Sequence, residues 1–465
     1  MNRIASIQIS PKVIALLLIF VVGEILVGLA SAYLPTFWVT LLLGSVVFII
    51  TASYPMIGVS LMLTSLYFPI LPTVPLGSLE FSVTSLPAVG LALGIFFRSR
   101  FRVEATPVRL LKGWQLFLLF LLGLAFFLST LFSSNFNATV RMVPNMLIYL
   151  VILWGVMAEI NTIEKLKFVA QVIIVLGFVL SIWRVELRPL RLLVGLPSLG
   201  INGAAFTFHP AVALALACLL FAPKGAFTLP WRWFMGITVA SLILHGFQYE
   251  TRAAWLAWAI MVLALISVVH WERWLRFLPL FVIVAALVVL VYGSRIEFNY
   301  QQTTTTMQAA LGSSGYATIS SDDRLRLLAR DAGVRMFQER PIFGWGANRF
   351  DFLKPSFVNE VSKEAEFPGS FNSWLALLAE MGLVGVAAAL TVSLTPLAIT
   401  WFLLRQRKDE INTLAFGFAL GVMGLAIHLL FIDLMFSYYW IHVGLALAGL
   451  RLALENRSAQ AQAAV

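Results

Sequence analysis

Cysteine, histidine and charge are all scarce in this chain of 465 residues, and each shortage removes a class of function. Its one cysteine, Cys218, lies inside an apolar run. That excludes a disulfide framework and a clustered Cys/His metal centre, and it argues against thiol redox chemistry. The five histidines are scattered, and His245, His270 and His442 have no second ligand at metal spacing. They read as packing or interfacial residues, so no metal and no cofactor is expected. Charged residues make up only 12% of the chain while 60% is hydrophobic, a balance that no soluble domain shows.

What is present instead is a series of apolar runs of about 16 to 22 residues, each long enough to cross roughly 30 Å of hydrocarbon as a helix. Spans are expected near 12–33, 37–52, 54–70, 82–97, 113–132, 140–159, 166–183, 205–221, 232–248, 252–269 and 275–293. Three more are expected near 381–404, 411–430 and 435–453. The fold class is therefore all-α: a polytopic transmembrane helical bundle of about 12 to 14 spans, with a large external loop carrying an amphipathic helix. The basic N-terminal segment resembles a signal peptide in outline, but no convincing small-residue cleavage site precedes Pro35, and it reads as a retained first span.

Short loops set the orientation. Arg98, Arg100, Arg102, Arg109 and Lys112 crowd one loop and Arg405, Arg407 and Lys408 another, and alternation puts both on one face with Lys165, Lys167, Lys224, Arg232, Arg273 and Arg276. The positive-inside rule makes that face cytoplasmic. The same signal accounts for most of the net charge of +10, so no nucleic-acid partner is read from it. The chain divides into N-terminal transmembrane helices (1–199), a second helical group (200–293), the large external loop (294–370) and C-terminal helices with a short cytoplasmic tail (371–465).

Arginines on the external side break the charge rule. Arg184, Arg188 and Arg191 lie between the seventh and eighth spans. Each singly reads as a solvated or headgroup-contacting residue. Together they have the chemistry to bind a diphosphate bidentately. Tyr249, Glu250, Thr251 and Arg252 form a very short external turn, where Arg252 is either a snorkelling anchor or a ligand for an anionic headgroup.

Within the long loop, Asn299 to Ser321, with Thr303 to Thr306, reads as a flexible lead-in. Ser320 and Asp323 then resemble a capping box, and Leu325, Leu328, Ala329, Ala332 and Met336 repeat at helical spacing up to Pro341. A helical wheel puts Arg324, Asp331 and Arg335 on one edge of the apolar stripe, facing a cavity. Arg326 and Arg330 fall near the other edge, facing water. The alternative is that all four arginines form a solvated face.

Beyond that helix, Pro341, Ile342, Phe343, Gly344, Trp345, Gly346 and Phe350 resemble the "PlfGvGxxxF" signature of the O-antigen ligase and O-antigen polymerase family. Asn372, Ser373, Trp374, Leu375, Leu378, Glu380, Gly382, Leu383 and Gly385 are similar to its "HNxyLqllaelGllG" segment. Thr251 to Ala254 resemble its "SRgA" turn, and Phe208, His209, Pro210 and Ala213 weakly resemble its "hPNxxA". The resemblance spans roughly residues 200 to 450.

The resemblance implies an inner-membrane glycosyltransferase that acts at the outer face on undecaprenyl-diphosphate-linked glycan, joining it to a glycan or lipid acceptor without a metal. The matched Arg252 and Arg324 would stabilise the departing diphosphate. Arg184, Arg188, Arg191, Arg335 and Asn372 would bind substrate. The histidine that precedes Asn in the family segment is Phe371 here, and phenylalanine has no protonation state with which to replace a base. Glu250, Glu366, Asp433 and His428 are the replacements on that side, of which Glu250 and Asp433 are preferred. Each has a plainer reading as a paired, solvated or packing residue. Trp345 and Trp374 are placed to stack on a glycan. A transporter or flippase of a lipid-linked sugar or small anion, and a catalytically silent glycan-binding relative, are the alternatives.

Overall fold

The computed structural model describes residues 45, 46, 48–67, 74–76, 79–81, 85–101, 111–184, 205–248, 252–268, 300–302, 304–308, 321–358, 370–432 and 436–463. The expected spans 12–33 and 275–293 lie outside them, as does most of 37–52. The fold is a helical bundle. Its helices are α1 Pro55–Tyr67, α2 Ser85–Phe101, α3 Gly113–Leu131, α4 Phe136–Val140, α5 Val143–Glu159, α6 Ile163–Arg184, α7 Ala205–Phe221, α8 Leu229–Gln248, α9 Arg252–Val268, α10 Ser321–Glu339, α11 Phe350–Phe357, α12 Ser373–Gln406, α13 Glu410–His428 and α14 Phe436–Ala463. Among the described residues, the one departure from an all-helical reading is a small antiparallel hairpin, Val74–Leu76 with Leu79–Phe81.

Five of these stretches are long and apolar enough to cross a membrane: α3, α4 with α5, α6, α12 and α13. Shorter apolar helices lie at Pro55–Thr64, Pro87–Phe97, Thr207–Phe221 and Ala253–Val268. The centre of the bundle is α13, packed by α7, α9, α12 and α14. Its sequence is apolar on every face, as a helix with no solvent or lipid side must be. Glycines let α7 close on it: Gly424 meets His209, and Gly421 meets Pro210. In contrast, α3 turns Phe117, Phe120 and Phe127 outward, the expected face toward lipid tails.

The basic residues of the short connections gather at one end of the bundle. Lys112 precedes α3 and pairs with Glu455 at 3.4 Å, Lys167 of α6 pairs with Glu410 at 2.6 Å, and Arg407 follows α12 and pairs with Asp409 at 3.5 Å. The helix α10 and the segment after it sit at the opposite end, against the C-terminus of α3 and the start of α12.

One expectation about the long loop needs correction. Residues 300–302 and 304–308 are helical rather than an unstructured lead-in. The reason is Asp323, which is buried and accepts hydrogen bonds from Gln302 Nε2 at 3.0 Å and Thr306 Oγ1 at 3.1 Å. A buried carboxylate requires donors, and the Gln/Thr stretch supplies them. The span expected at 381–404 corresponds to the part of α12 after a break at Gly382 (φ 62°, ψ −163°), and a shorter helical part from Ser373 precedes the break.

Candidate functional site

The glycine-containing segment 340–349 is a strap whose backbone is hydrogen-bonded to the broken start of α12. Trp345 N–H donates to Ala379 O at 3.0 Å and Gly346 N–H to Glu380 O at 2.9 Å. In return, Leu383 N–H donates to Pro341 O at 2.8 Å and Val384 N–H to Ile342 O at 3.2 Å. The break at Gly382 frees the N–H groups that make the second pair.

Three glycines hold left-handed backbone here: Gly344 (φ 70°), Gly346 (φ 106°) and Gly382 (φ 62°). An added Cβ would run into the Glu380 backbone, into Ser133 and Thr139, and into the Ile342 carbonyl, respectively. Both conformation and space therefore require glycine. The far side of the strap is fixed to the end of α3, where Ser134 N–H and Ser133 Oγ donate to Trp345 O at 3.2 and 3.1 Å, and Ser129 Oγ donates to Glu380 O at 3.0 Å.

Glu380 completes the joint. Its carboxylate accepts the Phe350 N–H at 2.8 Å, which caps α11 with an anion at the positive end of the helix. This role is invisible in a linear reading, although Glu380 lies inside the quoted family segment. Trp345, expected to stack on glycan, donates its indole N–H to Met336 O at 2.8 Å beneath the Arg340 guanidinium. Trp374 likewise donates to Ala426 O at 2.7 Å. Both indole N–H groups serve the fold.

The joint fixes α10 over the start of α12 and the end of α13. Arg324 is half-buried on α10. Two residues on, Arg326 donates to Phe431 O at 2.7 Å and lies 4.9 Å over the ring of Phe371. It does not face water as the helical wheel implied, because α10 crosses the C-terminus of α13, where carbonyls lack helical donors. Arg330 forms an ion pair with Asp331 at 3.0 Å near the surface. Arg335 donates to Phe357 O at 3.3 Å, at the end of α11.

Phe371 itself has left-handed backbone (φ 54°), a strained conformation for a residue with a side chain. Asn372 follows as the N-cap of α12, its Oδ1 accepting Leu375 N–H at 2.9 Å. Ser373 N–H and Oγ bind Leu429 O and Ile432 O at 2.9 and 2.8 Å. Directly below, His428 Nδ1 and His209 Nε2 share a hydrogen bond of 2.8 Å between two buried rings. The residues brought to this end are thus Arg326, Phe371, Asn372 and the His209–His428 pair.

Arg184 ends α6 and Arg252 opens α9, but their side chains lie outside the described residues, as do Glu250, Glu366, Asp433, Arg188 and Arg191 entirely.

No curated protein matches the chain. Residues 247–390, the stretch that contains α9, α10, the strap and the broken start of α12, match the family model described as O-Antigen ligase, and over that segment the chain is similar to the O-antigen ligase family.

Proposed function

We propose that the protein is a membrane glycosyltransferase of the O-antigen ligase or polymerase type. It passes or polymerises undecaprenyl-diphosphate-linked glycan at the outer face of the bacterial cytoplasmic membrane, in surface polysaccharide synthesis. The observation that supports this reading is the joint between strap and α12. It holds α10 so that Arg326 stands over Phe371, the position where the family histidine is replaced, with Arg324 two residues before it on the same helix.

In this mechanism an acceptor hydroxyl attacks the anomeric carbon, the bond from that carbon to the diphosphate oxygen breaks, and configuration inverts. Arg252 and Arg324 neutralise the charge that develops on the lipid diphosphate. Glu250 or Asp433 accepts the hydroxyl proton. Arg184, Arg188 and Arg191 hold the donor from the α6 side, and Arg335 and Asn372 line the approach from the loop. The Asn372 Oδ1 is committed to its cap, which leaves its amide N–H groups as the substrate-facing donors.

The test is transfer in proteoliposomes supplied with lipid-linked glycan extracted from the native host. Wild type is expected to form product and Arg324→Ala to lose at least about tenfold, the cost of one missing charge-assisted contact in a transition state. Undiminished transfer in both Arg252→Ala and Arg324→Ala, at normal expression, refutes the mechanism.

A further inference from the structure

Immediately inside the strap lies a cavity of about 110 Å³, bounded by α3, α5, α12, α14 and the strap itself. Its lining is mixed. Phe126, methionines and leucines supply the apolar part, while Asn145, Tyr149, Asn348, Glu380 and Trp440 place amide, phenol, carboxylate and indole groups around one small space. Trp440 is 2% exposed, and its indole N–H is buried with no hydrogen-bond partner among the described residues. A buried donor of this kind carries a free-energy cost of about 1 to 3 kcal/mol unless something bonds it. Asn348 adds a second sign of a constrained site, since it lines the cavity with left-handed backbone (φ 58°).

We propose that this cavity is a subsite for the hydroxyl groups of one sugar residue of the glycan. The proposal rests on the transferase reading given above. Three features identify the ligand class. First, the space is smaller than the roughly 300 to 1,000 Å³ of a whole-ligand pocket, so it holds part of a substrate rather than a lipid chain with its headgroup. Second, the polar residues that line it supply both donors (the Trp440 indole N–H, the Asn145 and Asn348 amides) and acceptors (Glu380, the amide oxygens), which matches hydroxyls, each both donor and acceptor. Third, aromatic faces at Phe126 and Trp440 suit the apolar face of a pyranose ring.

Glu380 has two functions in this arrangement. One oxygen holds the Phe350 N–H, and Glu380 also lines the cavity, so the subsite adjoins the strap and α11 through the same residue.

The experiment uses the full-length protein in lipid nanodiscs and, as probe, the free oligosaccharide released by mild acid from the host's lipid-linked glycan. Binding is followed by saturation-transfer NMR and by tryptophan emission, with no lipid donor and no transfer step. Wild type is expected to bind the saccharide at millimolar concentration. Asn145→Leu and Trp440→Phe are each expected to bind about fivefold or more weakly, the scale of one lost hydrogen bond, with unfolding temperatures near wild type. Trp440→Phe keeps an aromatic ring in place and decides the matter if Asn145→Leu fails to fold. Equal binding by wild type and Trp440→Phe overturns the subsite, as does a wild type that binds no saccharide and holds only water in the cavity. Saccharide binding that depends on Trp440 in a protein without transferase activity upholds the subsite while the transferase reading falls.

Discussion

The guanidinium of Arg326 lies 4.9 Å above the ring of Phe371 while donating to Phe431 O at 2.7 Å. One arginine of α10 is thereby held by the segment just before α12 and the segment just after α13 at once. At the position where the family segment carries histidine, this chain uses an aromatic face as a seat for a cation. A double-mutant cycle of Arg326→Ala and Phe371→Leu, read by thermal unfolding in detergent, is expected to show a coupling of about 0.5 to 2 kcal/mol. Additive effects would show that the contact contributes nothing to holding α10.

Phe371→His bears on the chemistry as well as the seat. In the proteoliposome assay it is expected to retain or raise transfer, since the imidazole supplies a proton acceptor at the family position. A fall of tenfold or more, relative to wild type, in a variant of normal stability would instead mean that the aromatic seat matters more than a base there.

The three glycines of the joint should be much less tolerant than an isolated one. Gly382→Ala and Gly344→Ala impose left-handed strain of about 1 to 2 kcal/mol and also drive a methyl group into backbone atoms. Gly225 shares the left-handed backbone (φ 93°) but has open space around it, so Gly225→Ala should show the conformational part alone. Expression level and unfolding temperature are expected to rank wild type, Gly225→Ala, then the joint variants. An equal response would mean that the backbone contact between strap and α12 does not form.

Glu380→Ala removes the acceptor for Phe350 N–H and exposes the first turn of α11 to solvent exchange. The expected cost is about 1 to 3 kcal/mol, with faster amide exchange at residues 348–352 and little change in α13. Glu380→Gln keeps an oxygen for the cap and should leave exchange near the wild-type rate.

The His209–His428 pair predicts non-additivity. His428→Phe alone strands a buried imidazole and is expected to lower stability by about 1 to 3 kcal/mol. Replacing both rings by apolar residues should restore part of the loss, because no polar atom is then left behind. Thermal unfolding of the two single variants and the double variant would expose a purely additive response, which would exclude the hydrogen bond.

Much of the bundle was legible from the sequence because the information that specifies a membrane helix is local. A run of apolar residues must satisfy its own backbone hydrogen bonds, and so α3, α6 and α13 lie where hydropathy puts them. The helical repeat of Leu328, Ala332 and Met336 similarly marks α10, whose buried stripe contains these residues. The order of the family segments was also readable, as a pattern of residue types.

Tertiary structure decided what those residue types are for. Gly344 and Gly346 meet Glu380 and Ser133 only after the chain has folded back across α10 and α11, and nothing in their spacing identifies the partner. The wheel of α10 gave Arg326 to water because it carries no information about the Phe431 carbonyl, just after α13. The helical Thr/Gln segment is tied to α10 through Asp323, a partner its own sequence does not reveal. Trp440 has no sequence signal at all, and its unbonded N–H acquires meaning from the cavity that four other elements build around it. Composition and periodicity fix which segments enter the membrane, since burial in lipid acts on each segment separately. Hydrogen bonds between segments fix the site, since they depend on atoms far apart in the chain.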